Sequence, residues 1–168
     1  MQQVNGGLRN LTWDDYGISK DRYQELKHFC LQYQDKKRRA SMLGGYDIPA
    51  VNMDGVGGHT GPTSPTERAA IKNYTKAERA LRDCRMIEEA ALWAAAAGGY
   101  RKSWRAILRA VSEGVGYDRI ITRYAIPFSV ADFYAIRRAF FWRLDCLQQG
   151  EETQQSQGIE PPEKFEKN

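Results

Sequence analysis

Apolar residues recur every third or fourth position along most of this chain, and no stretch alternates apolar with polar residues for long. The first spacing is that of amphipathic helices and the second that of half-buried strands, so the pattern predicts an all-α protein. In residues 17–40, "GISKDRYQELKHFCLQYQDKKRRA", Tyr23, Leu26, Phe29, Cys30 and Tyr33 form one apolar stripe. Ser19 is placed to cap the first turn, Asp21 suits its dipole, and the cations at 36–39 suit the last turn. The pattern then breaks over 44–65, where six glycines and three prolines mark a linker or long loop.

A second helix signal follows at "SPTE": Ser64 as cap, Pro65 at the first helical position and Glu67 as a capping-box partner. The expected stripe of this long helix is Ile71, Tyr74, Ala77, Leu81, Cys84, Ile87 or Glu88, Ala91 and Ala95, ending at Gly98 and Gly99. Ala90 to Ala97 would let another helix approach closely. Three shorter helices come next. Residues 103–113 have Ser103 as cap, Trp104, Ile107, Leu108 and Val111 inward and Gly114 as stop. Residues 117–124 place Tyr117, Ile120, Ile121 and Tyr124 on one side, and residues 129–148 begin at a Ser129 cap. The expected organisation is an N-terminal helical module (1–43), a Gly/Pro-rich linker (44–65), a helical domain with a helix-turn-helix (66–148) and a disordered tail (149–168). That tail carries five Glu against two Lys.

Candidate chemistry narrows the function classes. Cys30, Cys84 and Cys146 are odd in number, far apart and flanked by apolar residues, which reads as small buried hydrophobes. His28 and His59 are the two histidines, and no ligand set of zinc spacing surrounds them, so no metal is expected. "GVGGHTG" lacks the preceding strand and the Lys-Ser/Thr pair of a phosphate loop, and His59 reads as an exposed loop residue. Glu88 and Glu89 are adjacent and so point apart, as do Asp14 and Asp15. No acid–base pair is legible, and the expectation is a non-enzyme without a cofactor. The longest apolar run, "AALWAAAAGGY", is too short for a membrane span, and the N-terminus lacks a signal pattern. A soluble, intracellular protein is expected.

Charge then singles out the C-terminal third. The whole chain carries +4, with a pI of about 9.0. Residues 101–145 hold nine cations against four anions, and this is the segment that contains "YDRIITRYAIPFSVADFYAIRRAFFWRL". That stretch has the outline of a helix-turn-helix: a first helix to cross the DNA backbone, Pro127 to stop it, Ile126 in the corner, and a second helix for the major groove. On the second helix Phe133, Ile136, Arg137, Phe140, Leu144 and Leu147 face the core. Ala131, Tyr134, Ala135, Arg138 and Trp142 lie opposite. Small residues allow close approach there, and Tyr and Arg can reach bases or phosphates. Expected groove contacts are Ser129, Tyr134 and Arg138, with Arg137 at the edge of the apolar face. Phosphate contacts are expected from Arg101, Lys102, Arg119, Arg123 and Arg143, and a second basic contact from Lys36, Lys37, Arg38 and Arg39. Ordinary bundles share this outline, so a hairpin that only closes a core stays open as a reading.

Residues 67–147, through "GVGYDRIITRYAIPFSVADFYAIRRAFFWRL", resemble small phage and prophage regulators of Gram-positive bacteria. These are the ArpU/RinA-type late transcription regulators, whose C-terminal helix-turn-helix is similar to region 4 of sigma factors. Phe128 stands where many such motifs carry a small residue. The resemblance implies promoter-proximal binding of double-stranded DNA in the cytoplasm of a bacterial host, with recognition at Ser129, Tyr134, Arg137 and Arg138. Host RNA polymerase would then be a protein partner, and a homodimer would supply two half-sites. Two alternatives stay open. One is a phage inhibitor of the anti-CRISPR type that binds an RNA-guided nuclease. The other is a small terminase-type packaging protein.

Overall fold

A computed structural model describes residues 8–44, 64–124 and 126–150, which hold six α-helices and no strand. They are α1 (Lys20–Leu31), α2 (Tyr33–Gly44), α3 (Pro65–Ala97), α4 (Trp104–Glu113), α5 (Tyr117–Arg123) and α6 (Val130–Gln148). The all-α expectation holds. Most of the linker, His59 and the acidic tail lie outside the described residues.

The chain divides into two compact units, one of residues 1–33 with 85–168 and the other Gln34–Cys84. The expected separate module 1–43 is therefore corrected. Its first part belongs with the C-terminal helices, and its last part belongs with the first half of α3. The single helix expected over 17–40 is likewise two helices, with a break at Gln32. No Gly or Pro marks that break. It falls beside Tyr33, which is buried and whose hydroxyl donates to Glu88 on α3, so a tertiary anchor ends what the periodicity would have continued.

In the larger unit α6 is the central helix. Ten of its 19 residues are buried, which is more than the one apolar face of a surface helix. Phe133, Ile136, Phe140 and Leu144 are nearly inaccessible, as the spacing requires, but so is Ala135 on the face expected to stay open, and so is Phe141. The cover comes from a segment that showed no helical period. Leu8, Leu11, Tyr16 and Ile18 are buried, and a 3-10 turn at Leu8–Asn10 packs on α6. Trp13 and Tyr23 close on Phe141 with ring centroids at 6.1 and 4.9 Å, while Tyr16 and Trp93 close on Trp142 at 6.0 and 5.4 Å. Such aromatic pairs bury large areas in defined geometries. Arg22 on α1 fastens the far end, donating to Asp145 at 2.6 Å and to Gln148 at 2.9 Å.

Several local signals are realised. Ser19 and Ser64 cap α1 and α3 by accepting from Arg22 N–H and Glu67 N–H. Gly114 ends α4 in the left-handed region at φ 66°, which favours glycine. Ala90, Ala91, Ala94 and Ala95 are fully buried, and Gly98 lies so close to Ile136 that a Cβ there would come within 2.6 Å of its Cγ1. The small residues thus serve packing within this unit.

Other expectations are corrected. Ser103 makes no cap, because it ends a 3-10 turn leading into α4. Trp104 and Leu108 are only half-buried. Ile121 is exposed, and so are Ile71, Tyr74 and Leu81. The rest of the expected α3 stripe, Ala77, Cys84, Ile87, Ala91 and Ala95, is buried, and Ala80 joins it in place of Leu81. Cys30 and Cys84 are buried small residues as expected, while Cys146 is half-buried.

Candidate nucleic-acid interface

The site begins with a cap. Ser129 is extended (φ −74°, ψ 168°) and its Oγ accepts from Asp132 N–H at 3.2 Å. Asp132 answers by accepting from Ser129 N–H at 3.4 Å, which completes a capping box. The Asp132 carboxylate also accepts from the Tyr100 hydroxyl at 3.2 Å and is almost wholly buried. The start of α6 is therefore already neutralised by an anion of the chain itself. Ser129, an expected groove contact, is engaged as a cap, and a phosphate at this terminus would have to compete with Asp132.

The connection from α5 to α6 is Tyr124–Ser129, longer than the three or four residues of a tight helix-turn-helix. Phe128 rather than Ile126 fills its corner. Its ring packs against Tyr100 and Phe133, and its carbonyl accepts from the Tyr117 hydroxyl at 3.1 Å. Ile126 is half-buried. The aromatic residue in place of a small one thus supports the corner.

Beyond this corner lies an open surface. Asp118, Arg119, Ile121, Thr122 and Arg123 are exposed on α5, and Val130, Ala131 and Tyr134 are exposed on the first turns of α6. Arg123 reaches Glu113 at 3.5 Å, and Glu113 also pairs with Arg109. Arg119, Thr122, Arg123 and Glu113 line a shallow pocket of about 480 Å³.

The remaining expected residues separate into three groups. Arg101 and Lys102 are exposed and, with Arg105, Trp104 and Leu92, line a second pocket of about 490 Å³ that contains no acid. This cluster stands at the start of α4, and Arg119 and Arg123 stand near its end, about 15 Å of helix away. Arg137 and Arg138 are half-buried. The Arg137 guanidinium lies 5.9 Å from the Phe141 ring centroid, and Arg138 is close enough to lower the pKa of Tyr16, against the larger effect of burial. Their partial burial limits what they can offer to DNA. Arg143 leaves the expected phosphate surface altogether: its side chain is 8% exposed, it pairs with Glu89 at 2.8 Å, and it lies beside Trp93. Trp142 and Ala135 are likewise removed from the groove face.

In the smaller unit the basic run also divides. Lys36 pairs with Asp83 at 2.9 Å and Arg38 with Asp35 at 2.8 Å, while Lys37 and Arg39 are exposed. Reading the sequence missed Arg105, which borders the same pocket as Arg101 and Lys102. It also missed Lys76 and Arg79 on α3, which share a groove with the basic run. The signal for the latter was present as rows of cations on two helices, but only folding shows that the rows face each other.

No group of His, Cys, Asp or Glu among the described residues has the arrangement of a metal site, and no described helix is long and apolar enough to cross a membrane. The class that the fold defines is an all-α protein with exposed cationic clusters. Comparison with known families, curated proteins and solved structures finds no match to this chain.

Proposed function

We propose that this chain binds duplex DNA, using α5 and the first turns of α6 as a helix-turn-helix. The observation that carries the reading is the exposed, cation-bearing surface of α5 continuing onto the open start of α6, above a corner fixed by Phe128 and the Ser129–Asp132 box. Base contact is limited to Ala131 and Tyr134, because farther along the helix the same face is covered by Trp13, Tyr16 and Tyr23. Phosphate contacts come from Arg119 and Arg123, and from Arg101, Lys102 and Arg105 at the other end of α4. A role as a phage-type transcription regulator rests on the resemblance of residues 67–147. A protein-binding reading has one observation in its favour, the exposed Ile71, Tyr74 and Leu81, which lie within about 80° on α3.

The test is fluorescence anisotropy with random duplex at about 50 and 200 mM salt. Micromolar or tighter binding is expected at the lower salt, weakening steeply at the higher. Arg119→Gln/Arg123→Gln should reduce the log–log salt slope by about 2. Arg143→Ala should leave the slope unchanged, since that guanidinium faces Glu89. Absence of binding at the lower salt refutes the reading and shifts the weight to the apolar stripe on α3.

A further inference from the structure

The smaller unit contains a groove of about 690 Å³ between α2 and the first half of α3. Its walls follow helical rows: Asp35 with Arg38 and Arg39 with Met42 on α2, each pair three residues apart, and Asn73, Lys76, Arg79 and Asp83 on α3, at steps of three or four. Ala80 also lines the groove, and Ala40 and Ala77 on the same two helices are buried.

The charges in these rows do not balance. Five cations face two anions, and both anions are taken, Asp83 by Lys36 and Asp35 by Arg38. Arg39, Lys76 and Arg79 make no ion pair among the described residues, and all three are exposed. Like charges gathered in one concavity repel each other and raise the local concentration of anions. One of the two existing pairs, Lys36–Asp83, also joins α2 to α3. An amide side chain, Asn73, adds a neutral donor to the cationic wall. The groove is open and elongated between two helices, which suits a chain of phosphates better than one small anion.

We propose that this groove holds the phosphodiester backbone of duplex DNA, with Arg39, Lys76 and Arg79 as its contacts. It would be a second backbone site, on a different unit from the α5–α6 surface and independent of it. The charge complementarity selects the occupant: an apolar protein segment would gain nothing from three unpaired cations, and a polyanion releases counterions on binding each of them.

The experiment uses the full chain and a random duplex of about 30 base pairs, with anisotropy read across salt. Arg39→Gln/Lys76→Gln/Arg79→Gln is compared with wild type and with Arg119→Gln/Arg123→Gln. The groove variant should lower the slope by about 2 to 3 and weaken binding at least about tenfold near 50 mM salt. Its effect should add to that of the α5 variant, since the sites are separate. An unchanged slope in the groove variant overturns this proposal while the α5 variant still tests the helix-turn-helix. Loss with the groove variant alone overturns the helix-turn-helix reading and leaves the groove. A wild-type chain that binds no duplex overturns both. The replaced side chains are exposed, so the far-ultraviolet dichroism and melting midpoint should match wild type. If the triple variant melts early, Lys76→Gln and Arg79→Gln singly carry the test, each lowering the slope by about 1.

Discussion

Replacing Asp132 with Ala tests how the start of α6 is held. The carboxylate is 3% exposed and accepts from Ser129 N–H, from the Ser129 hydroxyl at 2.9 Å and from the Tyr100 hydroxyl at 3.2 Å. Ala removes the reciprocal half of the capping box, worth roughly 0.5–1 kcal/mol on the low side of a full cap. It also removes an anion from the helix N-terminus, worth roughly 0.3–1 kcal/mol. The half-buried Tyr100 hydroxyl loses a charged acceptor, for roughly 1 kcal/mol or more. The total is about 2–3 kcal/mol, read as a fall in the urea midpoint at unchanged m-value. The Tyr100 share can be isolated. In a Tyr100→Phe background the same substitution should cost about 1 kcal/mol less, because that hydrogen bond is already gone. A cost under about 0.5 kcal/mol would refute the reasoning, since it would place even the ordinary surface range of effects above the cap. Equal costs in the two backgrounds would show that Tyr100 and Asp132 are not coupled.

Two further outcomes follow from packing and burial. Gly98→Ala puts a methyl within 2.6 Å of Ile136 Cγ1 and 2.8 Å of its Cδ1, so it should destabilise by about 1–2 kcal/mol after the gain from a stiffer unfolded chain. Ile136→Val should recover part of that in a chemical-denaturation cycle, and strict additivity would refute the clash. Burial pushes the Tyr16 phenol up to about 12, against a partial offset from Arg138. A raised folded pKa means that the stabilisation is intact below the unfolded value near 10 and is lost as pH rises through 10 to 12. Denaturation midpoints taken across that window should fall less in Tyr16→Phe than in wild type. An equal fall in both proteins would show that Tyr16 ionises as freely folded as unfolded.

Much of the local structure was legible because it depends on neighbours in sequence. Ser19, Ser64 and Ser129 each satisfy an orphan N–H a few residues away, and Gly114 relieves a left-handed residue, so these ends follow from residue type alone. The three-to-four spacing likewise fixed the class as helical. The faces of the helices were less secure. Phe133, Ile136, Phe140 and Leu144 are buried as their spacing demands, but α6 is covered on its second face largely by the segment from Leu8 to Ile18. That segment has no helical period to announce it. Burial there comes from Leu11, Tyr16 and Ile18, outside any helix, where a side chain's direction depends on backbone angles that no repeat encodes.

The candidate site shows the same division. The sequence by itself determined that cations concentrate in residues 101–145 and at 36–39, because charge is a property of composition. Only the tertiary structure decided which of them face outward. Arg143 is withdrawn to Glu89, Arg137 lies over the Phe141 ring, Arg138 is half-buried, and Lys36 is committed to Asp83. Lys76 and Arg79, unremarkable in a mixed-charge helix, gain their meaning from Arg39 across the groove. The physical reason is range: capping and periodicity act within one or two turns of chain, whereas burial and charge pairing act between residues far apart in sequence. Tyr33 with Glu88 and Arg143 with Glu89 are such pairs, and only the packed chain brings them together.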